Sequence, residues 1–219
     1  MPVSNASLLD LACTTTEIVG WDNYDDVNSV SEAQTDSPGV DPKSTVWSFD
    51  TNTGAYAVRG KTVGSIDGLG SRIVISLNVY HENLGLTTDY DSFYIAIDAS
   101  GWRFGLDFGL DGLFLYNSES VIEIGTNLVD LNTWQEWTFD IDISTGIESA
   151  VCDVYLEDIL KASNISCLTL GVRIDGDISI TQQGYSTSDQ ITYLDWLKIG
   201  DGFAAAEYKN MGLSFFGAL

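Results

Sequence analysis

The chain has 219 residues with 9 Lys and Arg against 32 Asp and Glu, a formal net charge of −23. Its hydrophobic content of 44% supports a full core and excludes a wholly disordered chain. No stretch approaches the ~20 apolar residues of a membrane span, and five Lys and four Arg are too few to bind nucleic acid phosphates.

Residues 1–45 differ in texture from the rest. They hold all three prolines, Pro2, Pro38 and Pro42, and a Ser-, Thr-, Asn- and Asp-rich run from Trp21 to Ser44. This composition predicts an irregular acidic arm, with a short helix at Ser4–Ala12 and a short strand at Glu17–Trp21. The opening residues lack a basic segment followed by an apolar run, so no secretory leader is expected.

From residue 46 to about 202, apolar and polar residues alternate. Ile73, Ile75, Leu77 and Val79 form one such set; Phe93, Ile95 and Ile97 a second; Trp102, Phe104, Leu106 and Phe108 a third. Trp137, Phe139, Ile141 and Ile143 alternate with Glu136, Thr138, Asp140 and Asp142, and Ala150, Cys152, Val154 and Leu156 follow. Further strands are expected over 170–180 and 191–199. Period-two alternation puts one face of each strand on a core. Turn pairs such as Asp111-Gly112 and Thr145-Gly146 fall between the runs. About a dozen strands with almost no helical periodicity predict an all-β, two-sheet antiparallel sandwich.

Residues 203–219 form a separate apolar tail, with a short helix predicted at Gly202–Lys209. Leu213, Phe215, Phe216 and Leu219 would expose an apolar patch unless docked on the sandwich, on another copy or on a partner protein. Cys13, Cys152 and Cys167 fit no metal-binding spacing and predict buried free thiols, with a Cys152–Cys167 bridge as the alternative.

The run Asn132-Thr133-Trp134-Gln135-Glu136-Trp137-Thr138-Phe139-Asp140-Ile141-Asp142, continued through Thr145-Gly146 to Cys152-Asp153-Val154-Tyr155-Leu156-Glu157-Asp158, resembles a hairpin of concanavalin A-like lectin and glucanase jelly rolls, the group that includes laminin-G-like domains. Thr192-Tyr193-Leu194-Asp195-Trp196-Leu197-Lys198-Ile199 is similar to their last strand. Glu157-Asp158 stands where that hairpin usually has Asp-Gly.

The resemblance implies a jelly roll, and in many members a structural Ca²⁺ to which an aspartate at the position of Asp195 is a ligand. Asp22, Asn23, Asp25 and Asp26 offer oxygen donors in one loop, Asp89 and Asp91 in another, Asp175 and Asp177 in a third. Lectin-like members also hold sugars on exposed aromatic rings. Tyr80, Tyr94, Arg103, Asp107, Tyr116 and Tyr155 fall on the polar side of their strands and are the candidate glycan platform.

Catalysis is not expected. The carboxylate string of the laminarinase-type members is absent, and the nearest set, Glu136, Asp140 and Asp142, reads as the solvated face of a strand. The one histidine, His81, is expected as an inert surface residue at a strand end.

A lectin-like sandwich without a leader points first to a non-enzymatic attachment or structural protein on a bacteriophage-like virion. Such a protein would assemble in a host cytoplasm, as a capsid decoration or fibre component, among other virion proteins or as a homo-oligomer, with glycan contact as a secondary role. The alternative is an extracellular carbohydrate-binding module or lectin.

Overall fold

The alternation from Trp134 to Asp142 is satisfied by burial on both sides of one strand. Trp137, Phe139 and Ile141 point into the core at 0% exposure, while Glu136 and Asp142 stay partly in solvent. The computed structural model describes residues 9–26, 29–39, 45–52, 54–62, 71–89, 91–99, 102–116, 121–146, 149–167, 169–170, 177–184 and 189–201. Of Asp89, Asp98, Ala99, Trp102, Arg103, Tyr116, Thr169, Leu170 and Asp177 it describes the backbone alone.

The strands are β1 (Leu9–Leu11), β2 (Asp22–Asn23), β3 (Ser29–Gln34), β4 (Val46–Thr51), β5 (Ala55–Thr62), β6 (Arg72–Asn83), β7 (Phe93–Ala99) and β8 (Trp102–Gly109). They continue with β9 (Gly112–Tyr116), β10 (Val121–Gly125), β11 (Trp134–Asp142), β12 (Val151–Leu156), β13 (Ile159–Ser166), β14 (Thr169–Leu170), β15 (Asp177–Gly184) and β16 (Gln190–Gly200). Sheet A runs β13-β12-β11-β6-β16-β4-β3, with β1 on the far half of β16. Sheet B runs β10-β9-β8-β7-β15-β5-β2, with β14 on β8. Every pairing named here is antiparallel, and the two sheets stack as the expected sandwich.

Aromatic rings fill the space between the sheets. Phe104 meets Phe139 at 6.1 Å between centroids, Trp137 meets Phe108 at 5.9 Å, and Phe93 bridges Phe49 and Phe108 at 5.7 and 6.1 Å. Each such ring buries on the order of 150–250 Å², so these residues dominate the hydrophobic term.

Several expectations change. Among the described residues of the expected arm, β1 and β3 belong to sheet A and β2 to sheet B. Leu9–Leu11, expected within a helix, is a strand whose Leu9 and Leu11 enter the core opposite Ile199 and Leu197. Glu17–Trp21, expected as a strand, contains a 3-10 turn at Ile18–Gly20. Glu17 explains the turn, since its carboxylate accepts hydrogen bonds from the Thr14 backbone N–H (2.9 Å) and hydroxyl (2.8 Å). These contacts hold its pKa below the usual value although burial pushes the other way.

His81 is not at the surface. It points into the core at 0% exposure, 5.7 Å from both Phe93 and Phe108, with Nδ1 2.8 Å from the Thr192 hydroxyl. Burial lowers its pKa to about 3, so the ring is neutral at ordinary pH. All three cysteines are buried free thiols. Burial raises the Cys152 thiol well above its usual value, and the adjoining Cys167 thiol adds to the effect.

Candidate glycan-binding face

Sheet B positions the strongest set of candidates on its outer face. Strand register places Tyr94 on β7 directly opposite Asp107 on β8, with Thr181 of β15 on its other side and Phe114 of β9 beyond Asp107. The neighbouring row reads Gly60, Ser179, Ala96, Gly105, Tyr116 across β5, β15, β7, β8 and β9. Four small residues in a row on adjacent strands span about 14 Å, three strand spacings. Large side chains flanking them stand higher and must lean over the gap.

Two tyrosines do so. A Cβ at Gly105 would lie 2.4 Å from the Tyr94 hydroxyl and 2.9 Å from its ring, so the ring rests on the Gly105 backbone. At the other end, a Cβ at Gly60 would meet the Tyr24 ring at 3.1 Å. Tyr24 is 60% exposed, and its backbone N–H donates to the Val58 carbonyl at 3.1 Å, fixing it beside β5. Tyr24 also lines a pocket of about 180 Å³, together with Asp22, Val58, Gly60, Lys61 and Ser179 among others.

Of the six expected platform residues, Tyr94, Arg103, Asp107 and Tyr116 therefore share one face by register. The side chains of Arg103 and Tyr116 lie outside the described residues. Asp107 is only 5% exposed, so it forms part of the floor rather than a projecting contact.

Tyr80 and Tyr155 are not part of this platform, because β6 and β12 belong to sheet A. Tyr80 is 9% exposed and packs on Trp134 and Tyr193 at 5.5 and 6.0 Å. The segment after β3 folds over that spot: the Trp134 indole N–H donates to the Pro38 carbonyl at 2.7 Å, and a Cβ at Gly39 would lie 3.5 Å from the Tyr80 ring.

Tyr24 and Gly60 were missed by the sequence reading. Gly60 carried the signal, since a glycine inside a strand marks a close approach by another group.

Of the expected calcium ligands, Asp195 lies on β16 of sheet A, Asp22 on β2 of sheet B and Asp25 just after β2. Asp195 is the extra residue of a β-bulge, between Leu194 opposite Val79 and Trp196 opposite Asn78. One carboxylate oxygen accepts from the Asn78 amide at 3.3 Å. Asp25 is committed elsewhere, accepting from the Ser31 backbone N–H and hydroxyl and from the Val58 N–H at 2.7 Å each, which ties β3 to β5. Asp22 sits on β2 at the edge of sheet B. Ca²⁺ takes 6–8 oxygens, and among the described residues no three Asp, Glu, His or Cys side chains converge on one point. Of the other acidic loops, Asp91 is fully buried beside Gly85, while Asp175 and the side chains of Asp89 and Asp177 lie outside the described residues.

The carboxylates Glu136, Asp140 and Asp142 lie on the outer face of sheet A. Asp140 is ion-paired with Arg72 through both carboxylate oxygens. Its pKa is nevertheless raised, because loss of solvation outweighs the guanidinium.

No family model and no curated protein matches the chain. Solved structures do. An endo-β-1,4-glucuronan lyase from the fungus Trichoderma reesei superposes with a TM-score of 0.59 at 10% identity, over 93% of this chain and 96% of that one. A structure of botulinum neurotoxin type C, whose cell entry is described as dependent upon interaction with two ganglioside molecules, gives 0.55 at 14% identity over 92% of this chain. The binding domain of Paraclostridial Mosquitocidal Protein 1 gives 0.56 at 13% identity over 85%. The chain spans about half the length of the two toxin structures, 49% and 46%. These likenesses show the fold alone, a two-sheet antiparallel jelly-roll sandwich.

Proposed function

We propose that the chain is a carbohydrate-binding domain that holds a glycan across the outer face of sheet B. The observation that carries this reading is the row of small residues with tyrosine rings resting at both ends, Tyr94 on Gly105 and Tyr24 on Gly60. Flat, anchored aromatic rings present one face to a ligand, and the apolar face of a sugar ring stacks on such a surface. The fold neighbours support it, since toxin binding domains are among them and one toxin is described as interacting with gangliosides.

Binding without turnover is the better reading of this face. The one imidazole of the chain is sealed between the sheets and does not serve as general base for a ligand on the outer surface. The lyase neighbour makes turnover the outcome to watch for in the test. A virion-attachment role is one setting in which such a domain works, with other virion proteins or further copies of the chain as partners. The residues proposed for docking there, Leu213, Phe215, Phe216 and Leu219, lie outside the described residues. An extracellular lectin or carbohydrate-binding module takes precedence, because the sheet B face supports sugar contact directly.

The test is a glycan array followed by titration of any sugar retained. Saturable binding that falls about tenfold in Tyr94→Ala is expected. Binding unchanged by that substitution, or new unsaturated or reducing ends released from the sugar, contradicts the reading.

A further inference from the structure

The pocket at the β5 end of the row has a charge character that narrows the ligand. Its acidic member is Asp22, which register places opposite Gly60 and whose carboxylate lies 3.5 Å from the Tyr24 hydroxyl. Its cation is Lys61, which pairs with the core-facing Ile178 and so lies on the side of β5 away from Gly60, its ammonium 5.7 Å from the centroid of the Trp21 ring and in electrostatic reach of the Glu17 carboxylate. The nearby Arg59 lies on that side too, donating to the Ser31 hydroxyl and carbonyl on β3. A ligand over Tyr24 therefore meets the Asp22 carboxylate on its own side of β5, with Lys61 and Arg59 on the other. The chain as a whole adds a charge of −23.

We infer that this pocket is a subsite for a neutral, uncharged sugar ring stacked on Tyr24, and that it selects against uronate and sialylated residues; the inference rests on the carbohydrate-binding reading above. Stacking on the free face of Tyr24 supplies the attraction. Asp22 and the Ser179 hydroxyl supply hydrogen-bonding groups suited to sugar hydroxyls. A carboxylate on the ligand would be brought beside Asp22 with no cation of the pocket lining on the same side of β5, and like charges in a partly desolvated pocket repel. The selectivity is thus opposite to what a uronate-cleaving or sialoside-binding face requires.

The experiment is binding of the whole chain at low salt to neutral hexose oligosaccharides, to the same oligosaccharides oxidised to uronates at C6, and to sialylated ones. Tyr24→Ala and Tyr94→Ala are measured in parallel. The expected result is neutral ligands bound at least about tenfold more tightly than their uronate counterparts, with affinity falling about tenfold in Tyr24→Ala. Tyr24 is exposed, so this variant keeps the β-sheet circular dichroism of the parent. Equal or tighter binding of uronates or sialosides overturns the charge selectivity and leaves sugar binding standing. Binding lost in Tyr94→Ala but untouched in Tyr24→Ala overturns the subsite alone. A folded protein that retains none of the three ligand sets overturns both.

Discussion

His81 shows how one side chain departs from its sequence neighbourhood. Glu82 and Asn83 beside it are exposed, but β6 keeps its alternation one step further than expected, so His81 turns inward. Its folded pKa of about 3 lies below the unfolded value, 6.5. The unfolded chain therefore takes up a proton below about pH 6.5 that the folded chain refuses, and this group's contribution to stability is lost as pH falls from there toward 3. The loss approaches about 1.4 kcal/mol per pH unit. Because the chain has a single histidine, its imidazole NMR signals should stay fixed from about pH 7.5 to about 4.5; a titration centred near 6.5 would show that the ring is solvated.

Glu157 and Asp158, at φ 50° and 62°, form the two-residue turn between Leu156 and Ile159 with both residues left-handed. The turn is thus made in the usual hairpin geometry by residues that adopt it at a cost. Asp158→Gly should raise the denaturation midpoint, by about 0.5 kcal/mol in stability, and a lowered midpoint would mean that the aspartate side chain itself holds the hairpin. Asp195 is a subtler case. Alternation read straight through it puts Tyr193, Asp195 and Leu197 on one face, whereas the bulge resets the phase so that Leu194 and Leu197 both face the core at 0% exposure. A one-residue insertion leaves no mark in hydrophobic period alone.

Among the elements, β11 and β12 were legible residue by residue because strict alternation, a marked turn and a local hairpin agree. Their register runs from Trp137 opposite Leu156 to Asp142 opposite Val151. What alternation does not carry is which sheet a strand joins. Tyr80, Tyr94 and Tyr155 have the same outward phase, yet β6 and β12 go to sheet A and β7 to sheet B. Long-range pairing decides this, through contacts far apart in sequence.

The β6–β11 pairing also carries a buried charge. Asp140 has a side chain 1% exposed against 42% for its partner Arg72. Arg72→Ala leaves that carboxylate buried without its counter-charge and should cost about 2–3 kcal/mol at neutral pH. The loss should shrink as pH falls and Asp140, whose pKa is already raised, takes up its proton. Arg72→Met combined with Asp140→Leu should recover most of the stability; a double variant as weak as the single one would show that the ion pair is a net attraction. At the edge hairpin of β12 and β13, the buried thiols of Cys152 and Cys167 should be inert to a thiol reagent until the protein unfolds.

For the molecule as a whole, the all-β sandwich followed from periodicity. The weave of residues 9–34 into both sheets did not, because short strands with Ser, Asn and Asp at alternate positions have the composition of a loop. A charge of −23 on one sandwich is a standing self-repulsion. Raising NaCl from about 0.01 to 0.5 M should increase the melting temperature by about 2–4 °C, equivalent to about 1 kcal/mol for a chain of this size. A flat response would place the charges too far apart to matter.

The function rests on whether the tyrosine-capped face of sheet B holds a sugar. The most direct measurement is a calorimetric titration of the folded chain with the best array ligand, comparing the parent with Gly105→Val. That substitution puts a branched side chain where the Tyr94 ring rests and drives the ring off the sheet. The account predicts a saturable isotherm in the parent and at least about tenfold weaker binding in the variant, with the sandwich intact by circular dichroism. An isotherm identical in the two proteins would contradict it.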